Sequence, residues 1–288
     1  VGTASVLVAS GSTVWVGGGD AFYGGVRRGN LAVLDTRTGE ALPWDPALDP
    51  NDSVLHRRVE QLVVTRHAVV VRGLFEVAGG VQRRNLVALH PTSGQALPWD
   101  PGLQSADRVW ALAARGDVVY LAGEFTQIAG QPRQSLAALD TAAPALLPWS
   151  PSHPGATTMA LSDDGKAYVV GPTGAKAFDT ASGQQLPWTP AVPLGTALQE
   201  KRFTATRRGV YNVIGEFRSV AVDAQTGAEL PWMKTAIYNI GAFFLEGETL
   251  WAVRKGSDAS GGERYTLLRV DPLSGAVQAE IASVDGEI

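Results

Sequence analysis

Short apolar runs separated by turn residues occupy nearly the whole chain. In VEQLVVTRHAVVVRGLFEVAGGVQRRNLVALHPTSGQALPWDP (59–101), runs rich in Val and Leu alternate with Gly, Asn, Asp and Ser turns. This pattern is typical of β-strands, and no stretch shows the i, i+3, i+4 spacing of an amphipathic helix. The segment predicts four strands, at about 59–65, 68–74, 85–90 and 95–100.

The segment is one copy of a repeat that ends in a Pro-Trp corner. ALPWDP stands at 41–46 and again at 96–101, and LLPWSP (146–151), QLPWTP (185–190) and ELPWMK (229–234) follow. A sixth copy, LLRVDPLSGAVQAEI (267–281), has Val277 and Gln278 in place of Pro-Trp. Six units in 288 residues average 48 residues each.

Four antiparallel strands in every 40–55 residues predict an all-β fold, a six-bladed β-propeller of four-stranded antiparallel blades. One such unit cannot bury both its faces, so a single domain over 1–288 is expected. The predicted blades are approximately 1–46, 47–101, 102–151, 152–190, 191–234 and 235–288. The N-terminal and C-terminal units abut without an obvious shared closing strand.

The tryptophan of each corner is predicted to pack between blades. An indole buries about 150–250 Å², and the proline that follows four of the five tryptophans cannot continue a strand ladder. The residues assigned to this structural role are Trp44, Trp99, Trp149, Trp188 and Trp232.

Composition narrows the class of protein. Hydrophobic content is 45%, charged content 18% and net charge −4, which gives no reason to expect a nucleic-acid partner. No apolar run approaches the length of about 18 residues that spans a bilayer. The chain has no cysteine, which excludes disulfides and thiolate metal sites. It begins at Val1 without a signal segment, so we expect a removed leader or a piece of a longer protein.

Two propeller repeat families resemble these units. LAVLDTRTGEALPW (31–44), LVALHPTSGQALPW (86–99) and KAFDTASGQQLPW (176–188) look like the tryptophan-docking repeat of quinoprotein propellers. GLFEVAGGVQRRNLVALHPTSG (73–94) and GEFTQIAGQPRQSLAALDTA (123–142) are similar to the bacterial delta-sixty repeat, which implies an exported surface or envelope protein. The quinoprotein resemblance implies pyrroloquinoline quinone and calcium, but it also implies eight blades.

Candidate catalytic and metal-binding groups are sparse. No G-x-S-x-G occurs, and the four histidines follow no metal spacing. The acidic stretches DPNDS (49–53) and SDDGK (162–166) do not match a calcium loop, and the second reads as a hairpin turn. The first strands, which should line the propeller axis, are mostly small or apolar. We therefore predict no catalytic residue and no cofactor, with pyrroloquinoline quinone or calcium as alternatives.

Arginines recur in the loops that should share one face of the ring. The candidate partner-binding residues are Arg27, Arg28, Arg57, Arg58, Arg83 and Arg84. One hypothesis is that this rim docks an acidic protein partner or a glycan. The alternative is that Arg28, Arg84 and Arg133 repeat because they pair with Asp45, Asp100 or Asp107.

These observations together favour a non-catalytic, exported propeller that binds or scaffolds proteins in a cell-envelope assembly. Its expected location is extracytoplasmic: secreted, periplasmic or on the cell surface. One alternative is a quinoprotein-like or carbohydrate-active enzyme with its site on the loop-rich face. Another is a glycan-binding lectin, although the fourth unit has almost no loop of the kind that the others carry.

Overall fold

A computed structural model describes residues 4–18, 21–23, 25–48, 58–195, 203–214, 218–230, 232, 240–246, 249–257 and 263–285. Every strand pair in these residues is antiparallel, and they contain no α-helix, which confirms the all-β prediction. The same residues hold no helix with the length and apolarity that crossing a membrane requires. The chain divides into two compact units, Val1–Ser152 and His153–Ile288.

The first unit contains the first three repeats. Its first repeat forms β1 (Ala4–Ser10), β2 (Thr13–Gly18), β3 (Ala21–Tyr23), β4 (Val26–Arg28) and β5 (Leu31–Asp35). The second forms β6 (Arg58–Val64), β7 (Val69–Leu74), β8 (Val77–Ala78), β9 (Val81–Gln82) and β10 (Leu86–Leu89). The third forms β11 (Arg108–Arg115), β12 (Val118–Glu124), β13 (Gln127–Ile128), β14 (Gln131–Pro132), β15 (Leu136–Asp140) and β16 (Ala145–Leu146).

The second unit contains the other three repeats. The fourth repeat forms β17 (Thr158–Leu161), β18 (Lys166–Gly171) and β19 (Gly174–Asp179). The fifth forms β20 (Phe203–Ala205), β21 (Gly209–Ile214) and β22 (Arg218–Asp223). The sixth forms β23 (Ile240–Glu246), β24 (Thr249–Ser257), β25 (Glu263–Val270) and β26 (Val277–Asp285).

Each repeat builds one main sheet whose strands follow one another in chain order. In the first three repeats, the connection from second to third strand carries a two-stranded ribbon: β3–β4, β8–β9 and β13–β14. The second and third ribbons turn through two residues with positive φ, Gly79-Gly80 and Ala129-Gly130, as a type I′ hairpin requires. The sequence did not lead us to expect these ribbons.

The fourth strand differs from the prediction in most repeats. In four of them it is a single antiparallel bridge, formed by Ala41, Ala96, Gln185 and Glu229 with the third strand. In the third repeat it is β16, two residues long, and in the sixth it is β26, nine residues long. The physical reason is the proline two residues after each bridge, which has no N–H to extend the ladder. The sixth repeat lacks that proline.

The first strands carry β-bulges at matching positions. The register between β6 and β7 shifts at Val59/Gln61, and that between β11 and β12 shifts at Val109/Ala111. In each case a glycine of the second strand lies opposite the bulge. A Cβ on Gly73 would overlap the Arg58 carbonyl oxygen, and one on Gly123 would overlap that of Arg108. The two glycines therefore permit the backbones to approach.

The core lies between successive sheets inside each unit. One cluster joins the first and second repeats, where Trp15 and Leu31 pack with Val71 and Leu89. Equivalent clusters join the second repeat to the third, the fourth to the fifth and the fifth to the sixth. Alternate residues of the strands supply these side chains, as expected for sheets that are covered on both faces.

Candidate functional site

Each repeat has a turn between its third strand and its corner, organised by one side chain. Asp35 Oδ1 accepts hydrogen bonds from the backbone N–H groups of Arg37 and Thr38, and these bonds lower the pKa of Asp35. Asp179, Asp223 and Asp271 accept the same pair of bonds in their own turns. In the second repeat His90 stands at the position of the aspartate, and its Nδ1 accepts hydrogen bonds from the backbone N–H groups of Thr92 and Ser93.

The corner tryptophans are buried, between 4 and 6% exposed. Trp44 packs among side chains of the second repeat and donates from Nε1 to the His90 carbonyl, at 3.1 Å. Trp188 donates in the same way to the Asp223 carbonyl of the fifth repeat, at 3.1 Å. A Cβ on Gly275 would overlap the indole of Trp232. Each of these three indoles thus lies on the turn of the following repeat.

A second aromatic ring from the second strand completes the contact in several repeats. Trp15 and Trp44 meet edge to face at 4.8 Å, and Tyr168 and Trp188 do so at 4.9 Å. The Tyr168 hydroxyl also donates to the Ala224 carbonyl, at 2.9 Å. Burial raises the pKa of this phenol, so Tyr168 acts as a neutral donor.

The remaining corner residues direct the chain into the next repeat. Asp45 Oδ1 caps the N–H of Ala47, and Asp100 Oδ1 caps that of Gly102. The Pro46 carbonyl accepts from the Gly79 N–H of the second ribbon, at 2.7 Å. The Pro101 carbonyl accepts from Ala129 of the third ribbon, also at 2.7 Å.

One arginine per ribbon fastens that ribbon to the corner of its own repeat. Arg28 donates to the Leu42 carbonyl at 3.2 Å and lies 3.9 Å from the Asp45 carboxylate. Arg83 pairs with Asp100 at 3.1 Å. Arg133 donates to the Leu147 carbonyl at 2.7 Å. These arginines lie two residues before Asn30, Asn85 and Ser135, which have positive φ and are hydrogen-bonded to the second strand.

Ribbons and corners therefore form a continuous hydrogen-bonded row in the first unit. We call this row the belt; it consists of the ribbons with their arginines, 21–23 with 25–28, 77–83 and 127–133, and of the corners 42–46, 97–101 and 147–151. Its contacts run from each ribbon to its own corner through an arginine, and from each corner to the next ribbon through a proline carbonyl. The acceptors are backbone carbonyls, and in the contact of Arg83 the Asp100 carboxylate.

The belt presents apolar side chains to solvent at its ribbon tips. Val26 and Val81 are each 40% exposed and occupy equivalent positions, the first residue after the hairpin turn. Gln131 stands there in the third ribbon, followed by exposed Pro132. The exposed side chain of Arg27 follows Val26 directly.

The arginines singled out from the sequence lie in different surroundings. Arg28 and Arg83 are fastened inside the belt, with side chains 15% and 14% exposed. Arg84 lies 3.5 Å from Glu76, so the ribbon arginine of the second repeat is Arg83 and not Arg84. Arg58 pairs with Glu60 of its own strand. Arg57 falls outside the described residues.

A buried polar cluster joins the first strands of the second and third repeats. The Arg72 guanidinium donates to Glu60 at 2.8 Å and to Gln61 at 3.1 Å. Burial lowers the pKa of Arg72 to about 10, and Glu60 opposes that shift. Gln61 in turn exchanges two hydrogen bonds with the Leu112 backbone, like a strand neighbour. These contacts fix the two strands against each other.

The candidate metal-binding stretches have structural partners. Asp164 of SDDGK pairs with Lys166 at 2.8 Å and accepts from Ser162, as a hairpin turn does. His153 is buried, and its Nε2 donates to the Gly174 carbonyl. DPNDS lies outside the described residues. In the part of the chain that the structure describes, no three His, Asp or Glu side chains cluster as metal ligands would.

No known family profile matches this chain, and no curated protein matches its sequence. Solved structures do resemble it. The WD40 repeats of RRP9 align with 98% of the chain and 80% of their own length, at 10% identity and a TM-score of 0.58. The dihydro-heme d1 dehydrogenase NirN, in complex with DHE, aligns with 97% of the chain at 12% identity and a TM-score of 0.56.

An extracellular domain of a hybrid two component system from B. thetaiotaomicron aligns with 90% of the chain, at 11% identity and a TM-score of 0.50. The chain spans 66% of the NirN structure and 32% of this one. All three are β-propeller proteins. At sequence identities this low, structural similarity is evidence for the fold and not for a function. The similarity shows an all-β fold of the propeller type.

Proposed function

We propose that this chain is a non-catalytic propeller that binds a protein partner through the ribbon tips of its belt. The observation that carries the proposal is the equivalent exposure of Val26 and Val81, each at the tip of a ribbon fastened to a corner. A partner surface that covers both valines would remove their apolar area from water, which favours binding. WD40 propellers among the structural neighbours fit a protein-binding role.

The charge around the two valines defines the chemistry of the partner. Arg27 lies beside Val26, and Arg84, whose side chain is 45% exposed and lies 3.5 Å from Glu76, follows Val81 within three residues. We expect a partner surface with apolar side chains that fit between the ribbons and carboxylates at its rim, because guanidinium groups pair well with carboxylates. Arg28 and Arg83 contribute mainly by holding the ribbons in place.

Pre-organisation supports this use of the belt. A docking loop that is already ordered loses less conformational entropy on binding than a free loop does. The Gly79 and Ala129 N–H groups donate to the Pro46 and Pro101 carbonyls, which holds the second and third ribbons at their turns, where a free loop would otherwise move most. The Val81 tip is therefore held by its own turn, whereas the Val26 tip is held by the contacts of Arg28 with Leu42 and Asp45.

The finer parts of the proposal concern architecture and location. We place the six repeats in one six-bladed propeller of the delta-sixty type, exported and attached to a cell-envelope assembly. The repeat spacing and the alignment of nearly the whole chain with propeller structures support the first part. The delta-sixty resemblance of the second and third repeats supports the second.

The docking proposal is tested with the double variant V26D/V81D of the full chain. Wild-type and variant proteins are immobilised and exposed to an envelope extract of the source cells, and retained proteins are identified by mass spectrometry. A candidate partner is then purified, and its Kd for each protein is measured by calorimetry. We expect the double variant to weaken binding at least tenfold.

The matched control is V277D, which places the same charge at a valine that is 47% exposed in the second unit. It should bind as the wild type does. A purified partner that binds V26D/V81D as tightly as the wild type, with V277D also unchanged, would contradict docking on the belt.

The proposed location is tested separately, by fractionating the source cells and detecting the protein in each fraction with an antibody. A signal found only in the cytosolic fraction would contradict export.

A further inference from the structure

A polar concavity in the second unit is separate from the belt. It has a volume of about 200 Å³ and is lined by Arg207, Arg208, Thr249, Val270, Asp271, Pro272 and Gln278. One wall is the hairpin turn between β20 and β21, and the other is the corner turn of the sixth repeat with the start of β26. We call it the turn pocket.

The first wall carries two adjacent guanidinium groups on an ordered turn. Thr206 Oγ1 accepts from the N–H groups of Arg208 and Gly209, which fixes the backbone beneath both arginines. Both side chains are exposed. Within the described residues, the Arg208 guanidinium makes no hydrogen bond or ion pair. Its donors therefore face the pocket and solvent.

The opposite wall carries the Asp271 carboxylate, which accepts hydrogen bonds from groups of its own turn. Asp271 Oδ1 accepts from the N–H groups of Leu273 and Ser274 and from the Ser274 hydroxyl. The Ser274 N–H lowers the pKa of Asp271 most, and the charge of Arg208 lowers it further. Arg207, Arg208 and Asp271 are the charged side chains among the residues that line the pocket.

Two neutral side chains add donors. Gln278 Oε1 accepts from Arg269 Nε at 3.0 Å, so the amide NH₂ of Gln278 is directed away from that contact. Thr249 supplies a hydroxyl at the pocket wall. Guanidinium, amide and hydroxyl donors around a small concavity are the groups that bind an oxyanion.

We infer that the turn pocket binds a small oxyanion, a phosphate or a carboxylate group. A guanidinium binds either group with two parallel hydrogen bonds, and the volume admits one such group with a few waters. A phosphate group carries about 1.5 to 2 negative charges at neutral pH and a carboxylate carries one, so the phosphate group should bind more tightly. The inference does not depend on the docking proposal.

The second repeat provides a natural comparison for the test. Its hairpin turn, Thr65 to Ala68, has the same threonine cap, with Thr65 Oγ1 accepting from His67 and Ala68. Arg66 stands at the position of Arg207, and His67 at that of Arg208. The variant R66Q therefore removes one exposed charge from an equivalent turn that does not line the turn pocket.

The experiment is calorimetric titration of the full chain with inorganic phosphate and, separately, with acetate, at constant ionic strength set by chloride. We expect saturable binding of one phosphate per chain, weaker binding of acetate, a loss of at least tenfold in R208Q and no change in R66Q. Circular dichroism verifies that R208Q folds; should it fail to fold, Q278L gives the same test from the other wall.

Several outcomes would overturn the inference. They are the absence of saturable binding for both anions, equal affinity in R208Q and wild type, or an equal loss in R66Q and R208Q. Tighter binding of acetate than of phosphate would keep the site and assign it to a carboxylate. A further loss of affinity with rising chloride should accompany true binding, because the attraction is electrostatic.

Discussion

At the scale of single residues, two of the corner tryptophans, Trp44 and Trp188, combine apolar packing with one directional hydrogen bond. Trp44 and Trp99 are buried to nearly the same extent, 5 and 6% exposed. Trp44 donates from Nε1 to the His90 carbonyl, whereas Trp99 Nε1 is buried without a partner in the described part of the chain. The turn that would receive Trp99 has Ala142-Ala143-Pro144 in place of the x-Ser/Thr-Gly of most other repeats.

This difference predicts unequal costs for the same substitution. W44F removes part of an indole and a hydrogen bond, while W99F removes part of an indole and an unpaired buried N–H. We expect W44F to lower the free energy of unfolding by about 1 kcal/mol more than W99F does. Urea unfolding of both variants, compared through their midpoints, measures the difference. Equal losses would mean that the bond contributes nothing net.

A second residue-scale prediction concerns His153. Burial lowers the pKa of its imidazole below the usual 6.5, although the bond to the Gly174 carbonyl opposes this shift. Between the lowered pKa and 6.5 the unfolded chain therefore binds more protons than the folded one, and stability falls as the pH is reduced through that range. H153Q keeps a donor for Gly174 but does not titrate.

The measurement is the urea midpoint of wild type and H153Q from pH 7.5 to 5. We expect the wild type to lose more stability than H153Q below about pH 6.5. Parallel curves for the two proteins would show that His153 does not contribute to the acid sensitivity of the fold.

At the scale of elements, the bulged first strands depend on glycines of the second strands. G123A would place a methyl group against the Arg108 carbonyl oxygen and force the two strands apart. We expect a loss of about 1–3 kcal/mol in the free energy of unfolding. G29A is the control, since its Cβ would lie 3.5 Å from the nearest atom, the Leu48 carbonyl oxygen. If G123A is as stable as G29A, the bulge does not require glycine.

The elements also show which features the sequence could reveal. Alternating apolar runs placed the first three strands of the second repeat within one or two residues of β6, β7 and β10. The fourth strand was predicted too long, because a Pro-Trp corner that follows one bridge has the same apolar character as a strand. The ribbon β8–β9 went unrecognised, although Gly79-Gly80 between Val77-Ala78 and Val81 is a hairpin signal.

The belt arginines illustrate a different limit. Arg83 and Arg84 are adjacent and of the same residue type, so the sequence does not distinguish them. The structure does, because Asn85 has a positive φ, as does Ser135 of the third repeat, and in both repeats the arginine two residues earlier is directed at the corner. From the sequence, both arginines were candidates for partner binding, and Arg84 was the one expected to pair with an aspartate. The tertiary pairing that distinguishes the two, Arg83 with Asp100 and Arg84 with Glu76, follows from ribbon geometry rather than from spacing.

At the scale of the whole molecule, successive repeats inside each unit share their cores. A repeat without its neighbour would expose one sheet face, because clusters such as that of Trp44, Val71 and Leu89 draw on two repeats at once. Repeats that share cores unfold together more readily than separate domains do. If all six repeats form one domain, as the sequence predicts, the full chain should unfold cooperatively as well.

We predict one cooperative thermal transition for residues 1–288. Differential scanning calorimetry should give a calorimetric enthalpy close to the van't Hoff enthalpy. Two resolved transitions, or a calorimetric enthalpy near twice the van't Hoff value, would instead identify Val1–Ser152 and His153–Ile288 as independent domains.

The truncated fourth strands also affect how the protein behaves at high concentration. A long sheet edge with free N–H groups is a template for pairing with another molecule, and amyloid-like aggregation begins at such edges. In four repeats a single bridge followed by proline offers almost no template, and the third strand that then forms the edge of the sheet has only four to six residues. The nine-residue strand β26, which pairs only with β25 among the described strands, is therefore the segment where aggregation should begin.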